Sequence, residues 1–178
     1  MTGNPSRKKP APPLNSEKLR GLALHYAGRY ATTKRKLSDY LLRKIRERGW
    51  TEGEAFPDVA ALADNFAELG YVNDAQYAES RARSFARRGF GARRLEQDLT
   101  VAGIDDDDGR AAREHAAEEI LSSALALAQR KKIGPFASEV TSPEKRQKQI
   151  AMMLRAGHGF DLARRIVNAE PGAVIEEV

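Results

Sequence analysis

Apolar residues recur along this chain at the three-to-four residue spacing of a helix surface. Leu19, Leu22, Ala23, Tyr26, Ala27 and Tyr30 form one such stripe, and Ala75, Ala78, Ala82, Phe85 and Ala86 form another, so each segment predicts an amphipathic helix with one buried face. The alternating pattern that predicts strands is missing. Start and stop signals bracket the stripes. Asp58 opens Val59 to Leu69, Asn73 or Asp74 opens Ala75 to Arg87, and Ser142-Pro143-Glu144 sets an N-cap, an N1 proline and an acid in order. Gly49, Gly70, Gly89, Gly103 and Gly157 each follow a periodic run, where helices commonly end. The pattern predicts an all-α chain of about nine short helices.

A longer period overlies the helical one. Gly49, Gly103 and Gly157 stand 54 residues apart, and the residue four before each is apolar: Ile45, Leu99 and Met153. Each glycine ends a predicted helix (Lys34 to Arg48, Ala92 to Ala102, Pro143 to Ala156) that is flanked by a helix on either side. The chain therefore reads as three tandem three-helix repeats, at 16–70, 71–122 and 123–170, the last with a loop near 132–142. A disordered, basic, proline-rich leader, 1–15, is expected before them and an acidic tail, 171–178, after them. Units this small bury too little apolar surface alone and stack on neighbours, which predicts an elongated array with a continuous face for an extended partner.

Composition narrows the chemistry. Charged residues make up 31% of the 178, above a typical ~25%, as expected of a chain with much surface for its interior. Cysteine is absent, which excludes disulfides, Cys-ligated zinc, iron–sulfur clusters and thiol nucleophiles. The leader carries Arg7, Lys8 and Lys9 without an apolar stretch, unlike a secretory signal, and no apolar run approaches the ~18 residues of a membrane span. A soluble, cytoplasmic monomer is expected.

The formal charge of +5 conceals segregation. From Arg29 to Arg48 there are eight bases and two acids; from Arg81 to Arg94, six arginines and no acid; from Asp105 to Glu119, seven acids and two bases. Like charges at this density repel one another, so an anionic partner or a complementary neighbour is implied.

The stretch from Leu69-Gly70-Tyr71-Val72-Asn73-Asp74-Ala75-Gln76-Tyr77-Ala78 through Gly89-Phe90-Gly91 and Leu95–Leu99 to Gly103-Ile104 resembles the RecX family, regulators of the bacterial RecA recombinase. Leu37 to Gly49 is similar to the helix of that family's first repeat, and the resemblance runs roughly from Lys18 to Ala169. It implies a non-enzymatic protein that binds the RecA–DNA filament and modulates its ATPase, strand-exchange and coprotease activities, with inhibition the expected direction. Many relatives close the last repeat with Arg-Gly-Phe, where this chain has Arg155-Ala156-Gly157-His158-Gly159-Phe160. A reshaped final turn is expected, and Lys132 to Ser142, with Gly134 and Pro135, is expected to loosen the third repeat from the second.

No catalytic set can be assembled. His25, His115 and His158 are scattered, and His115 with Glu118 gives two groups at metal-ligand spacing without a third. Aligning Asp105-Asp106-Asp107-Asp108-Gly109 with a calcium loop puts Ile104 and His115 where acids are required; the run reads instead as an acidic helix start. There is no phosphate loop, and Gly89-Phe90-Gly91 follows a helix rather than a strand. No cofactor or metal is expected.

The candidate partner- or DNA-binding residues are accordingly Lys34, Arg35, Arg43, Arg81, Arg83, Arg87, Arg88, Arg93 and Arg94. Arginine suits bidentate carboxylate or phosphate contacts, and Arg93 and Arg94 would also profit from a helix N-terminus. On the helical wheel Arg83 and Arg87 lie opposite the core stripe, while Arg81 and Arg88 flank it. Tyr26, Tyr77, Phe66 and Phe85 read as core, which leaves no visible stacking platform for single strands. The alternative to filament binding is direct DNA binding through phosphate contacts, with a steep salt dependence.

Overall fold

The structure is a computed structural model that describes residues 12–176. Among these residues it is all-α: α1 (Ser16–Arg29), α2 (Lys34–Arg48), α3 (Val59–Glu68), α4 (Asp74–Arg87), α5 (Ala92–Ala102), α6 (Asp106–Glu118), α7 (Ile120–Lys131), a 3-10 turn (Gly134–Phe136), α8 (Pro143–Arg155) and α9 (Phe160–Asn168). No helix of the described residues is long and apolar enough to cross a membrane. The chain divides into two compact units, the first ending at Asn73 and the second beginning at Asp74.

In the first unit the side chains of Asn15, Thr33 and Asp58 cap α1, α2 and α3 by accepting the Lys18, Lys36 and Ala61 N–H groups. The apolar stripes then meet in one core around Leu19, Leu37, Leu41, Ile45, Ala63 and Phe66. Leu14 corrects the expected leader boundary. Its side chain is fully buried in this core, its N–H donates to the Gly49 carbonyl at 3.0 Å, and its carbonyl accepts the Thr51 N–H at 2.8 Å. The Arg48 guanidinium fastens the Pro12 carbonyl as well. Residues 12–15 are thus part of the first unit, because one leucine among the prolines finds an apolar slot. Residues 1–11 of the expected leader lie outside the described residues.

The second unit holds two helix triplets. Tyr77, Ala78, Phe85, Leu95, Leu99 and Ala112 make the core of α4–α6, and Leu127, Ile133, Met153, Ala163, Ile166 and Val167 that of α7–α9. Phe90 packs against both. The boundary expected between 122 and 123 runs through the first turn of α7, which starts at Ile120. A single residue, Glu119 (φ −95°, ψ 20°), separates α6 from α7, and with no glycine or proline at the junction the sequence carries no local mark of it.

The expected loosening near 132–142 is also corrected. Ile133 is fully buried, and Gly134 comes so close to α9 that a Cβ there would fall 1.8 Å from the Ile166 carbonyl oxygen. The α4–α5 turn and the α8–α9 turn pack backbone on backbone: the Gly91 N–H donates to the Ala156 carbonyl (2.9 Å) and the Arg93 N–H to the Gly157 carbonyl (3.3 Å). Glycines at 91 and 157 allow this approach, since a Cβ on either would meet the opposing backbone at 2.5 Å. The beginning of the tail is tied down too, with the Gly172 N–H on the Pro135 carbonyl at 2.8 Å and Ile175 against the α7–α9 core.

Candidate functional site

The nine candidate cations divide between the units. Lys34, Arg35 and Arg43 lie on α2 of the first unit. Lys34 pairs with Asp64 of α3 at 3.7 Å. Arg43 shares Glu47 with Lys44, at 3.7 and 2.6 Å, and the Lys44 hydrogen bond holds the Glu47 carboxyl below its ordinary pKa. Arg35 is exposed.

The other six lie on α4, α5 and the turn between them, and the fold treats them differently. Arg81 is committed to structure. It clamps Asp98 of α5 bidentately, Nε to Oδ2 at 2.7 Å and Nη2 to Oδ1 at 2.8 Å, and its guanidinium sits 4.7 Å from the Phe85 ring centroid. The Asp98 hydrogen bond raises the Arg81 pKa. Half-buried and paired, Arg81 is withdrawn from the candidate set as a free partner contact. Arg83 pairs with Glu79 one turn earlier at 3.1 Å.

Arg87, Arg88, Arg93 and Arg94 are exposed, and none has a carboxylate partner among the described residues. Arg88 lies over the Phe90 ring at 5.1 Å, and Arg94 donates only to the Gln97 side-chain oxygen at 3.3 Å. A fifth guanidinium joins them from α7: Arg130 Nη1 donates to the Arg88 carbonyl at 2.6 Å. Arg130 escaped the sequence reading because its approach depends on α7 packing beside α4. The expected help from the α5 N-terminus is reduced, since the Arg93 N–H is spent on Gly157; attraction for an anion here rests on the side chains.

The acidic run stays at the surface and is partly compensated by bases of its own unit. Asp105 caps α6 by accepting the Asp108 N–H at 2.8 Å, and Arg110 pairs with Asp107. Arg113 clamps Glu96 of α5 at 2.8 and 3.1 Å and reaches the Asp105 carbonyl at 3.2 Å. That clamp lowers the Glu96 pKa and raises that of Arg113. The pairs 81–98 and 96–113 have the same separation of 17 residues, the distance from one helix to the facing position on the next. His115 and Glu118, one turn apart on α6, line different grooves: His115 one with Arg83 and Arg87, Glu118 one with Asp161 and Arg165.

His158 is buried, with Nε2 3.0 Å from the Gly89 carbonyl oxygen. Only an N–H on that nitrogen satisfies the contact. Burial pushes its pKa below the usual histidine value despite that bond. The departure at 155–160 therefore supplies a side chain that links the two turns.

Comparison with known proteins matches residues 73–112, spanning α4, α5 and the first half of α6, to a family model described as RecX, second three-helix domain. The chain is 32% identical over 181 residues to the regulatory protein RecX of Myxococcus xanthus, covering 95% of this chain and 97% of that one. It is 32% identical over 127 residues to the regulatory protein RecX of Chromohalobacter salexigens, covering 71% and 80%. The fold is similar to the crystal structure of RecX from Lactobacillus salivarius, with a TM-score of 0.57 at 23% identity over 85% of this chain and 93% of that one. A second crystal structure, of regulatory protein RecX, aligns with a TM-score of 0.56.

Proposed function

The chain belongs to the RecX family, and from that footing we propose that it regulates the RecA recombinase by docking on the RecA–DNA filament, where it inhibits ATP turnover, strand exchange and coprotease activity. It acts in the cytoplasm by binding alone, without catalysis. The observation that carries this reading is the group of guanidinium groups at the α4–α5 turn, Arg87, Arg88, Arg93, Arg94 and Arg130. The neighbouring Arg81, Arg83, Arg110 and Arg113 all have carboxylates of their own. Several unpaired arginines at one turn repel each other and are relieved by an acidic partner surface. Their planar forks suit carboxylates of a protein partner.

The test is RecA ATPase activity on single-stranded DNA, titrated with wild-type protein and with an Arg87→Glu, Arg93→Glu, Arg94→Glu variant. Inhibition near stoichiometric amounts, lost in a variant of unchanged melting temperature, is expected. Wild-type protein without effect at stoichiometry overturns the reading. The same guanidinium groups also suit phosphates, so DNA contact is the second reading; it predicts binding to bare duplex without RecA, weakening steeply with salt.

A further inference from the structure

The first unit carries a feature that filament docking through α4 and α5 does not use. Near the end of α1 and along α2, His25, Tyr26, Tyr30, Lys36, Tyr40 and Arg43 line an open cleft of about 790 Å³. Tyr26 and Tyr40 stack with ring centroids 4.1 Å apart and planes 12° from parallel, and Tyr30 continues the cluster at 5.3 Å from Tyr26. Tyr26 was expected in the core; it and Tyr40 only edge onto the core, and Tyr30, 51% exposed, leaves an aromatic surface open to solvent. Cations surround the rings. Arg29 lies 5.7 Å from the Tyr30 centroid, and Arg43 and Lys44 lie 5.7 and 5.9 Å from that of Tyr40. Against Arg29, Lys36, Arg43 and Lys44 stand the carboxylates of Asp39 and Glu47, so the surroundings are net positive.

We infer that this cleft binds single-stranded nucleic acid, with an unpaired base stacking on Tyr30 and the phosphates running along Lys36, Arg43 and Lys44. An acidic peptide would use the cations and leave the ring idle; a base with its phosphate uses both. Duplex is disfavoured because its bases already stack on one another. A strand fits better than a mononucleotide because Lys36 and Arg43 are separated by seven residues of helix, about 10 Å along the axis, beyond the reach of one phosphate. The inference is independent of the RecA reading and involves a different unit of the protein.

Fluorescence anisotropy with the full chain tests it, using labelled oligo-dT of about twenty nucleotides, an abasic backbone of equal length and a duplex. Oligo-dT is expected to bind about 5- to 100-fold more tightly than the abasic strand, the increment of one stacked base. Tyr30→Ala removes that increment and leaves abasic binding unchanged, whereas Tyr30→Trp retains it and shows emission quenched by oligo-dT but not by the abasic strand. Arg43→Ala weakens both strands and lowers the salt slope by about 0.7. Charge reversal at Arg87, Arg93 and Arg94 leaves the Tyr30 increment in place, so failure of this inference and failure of the filament reading are distinguishable. Equal affinity for oligo-dT and abasic strands, tighter binding of duplex, or a Tyr30→Ala variant with the wild-type increment overturns it.

Discussion

Replacing Gly91 with alanine adds one methyl group at the tightest point of the second unit. At φ −84° and ψ 171° the backbone suits alanine, so the substitution carries no conformational penalty and its cost is steric alone. The new Cβ would lie 2.5 Å from the Gly157 oxygen, 2.6 Å from the Gly157 carbonyl carbon and 2.8 Å from the His158 nitrogen. All three are backbone atoms, so relief requires the two turns to part. Overpacking of this kind costs about 1–3 kcal/mol, and loosening the Gly91–Ala156 and Arg93–Gly157 hydrogen bonds adds about 1 kcal/mol each. A total of about 3–5 kcal/mol, at roughly 4 °C per kcal/mol for a unit of this size, lowers the melting temperature by about 12–20 °C. Gly21→Ala is the control. Gly21 sits within α1 with nothing inside 4 Å of its would-be Cβ, and the change gains about 0.5–1 kcal/mol from helix propensity. Circular dichroism melts of both variants decide the matter: a Gly91→Ala protein melting within about 2 °C of wild type would refute the turn-on-turn contact.

Arg81→Ala and Arg87→Ala separate a structural arginine from an exposed one. Loss of the half-buried Asp98 clamp costs about 1–2 kcal/mol after allowance for solvent screening, while Arg87→Ala changes stability by less than about 0.5 kcal/mol; urea unfolding of both measures the difference. For His158 the folded-state pKa lies below its ordinary value of 6.5, so in the interval between the two the unfolded chain binds the proton and the folded chain does not. Stability therefore falls as pH drops through 6.5 toward the folded pKa. Denaturation series from pH 7.5 to about 5 should show this decline in wild type and a shallower one in His158→Gln; parallel curves would remove His158 as its source.

Local features were legible where local physics decides them. The helices expected to end at Gly49 and Gly103 have the bounds read from periodicity and the glycine stops, Lys34–Arg48 and Ala92–Ala102. The paired glycines at 103 and 157 do end helices of their triplets, and the Arg81 position flanking the α4 stripe foreshadowed its half-buried state. What escaped depends on contacts between distant segments. Leu14 is one apolar residue among prolines and shows no period, yet its side chain is buried in the first unit's core and its backbone pairs with Gly49 and Thr51. Asp98 neutralises an arginine 17 residues away, so a stretch that counts as six arginines without an acid is partly compensated in three dimensions. Tyr26 obeys the helical period and still sits at the edge of the core, because Tyr40 of the next helix stacks on it and holds it there. The closed packing of Gly134 on α9 is equally invisible locally, since glycine and proline signal a loop whether that loop swings free or is pressed flat.

The measurement closest to the central claim is direct binding to filaments. Labelled wild-type protein and the Arg87→Glu, Arg93→Glu, Arg94→Glu variant are sedimented with RecA–single-strand DNA filaments, with bare DNA and with RecA alone. Co-sedimentation of wild type with filaments in preference to either component, and its loss in the variant, is the predicted result. Equal recovery of wild type and variant with filaments would contradict the assigned surface, and absence of wild type from the filament pellet would contradict the proposed function itself.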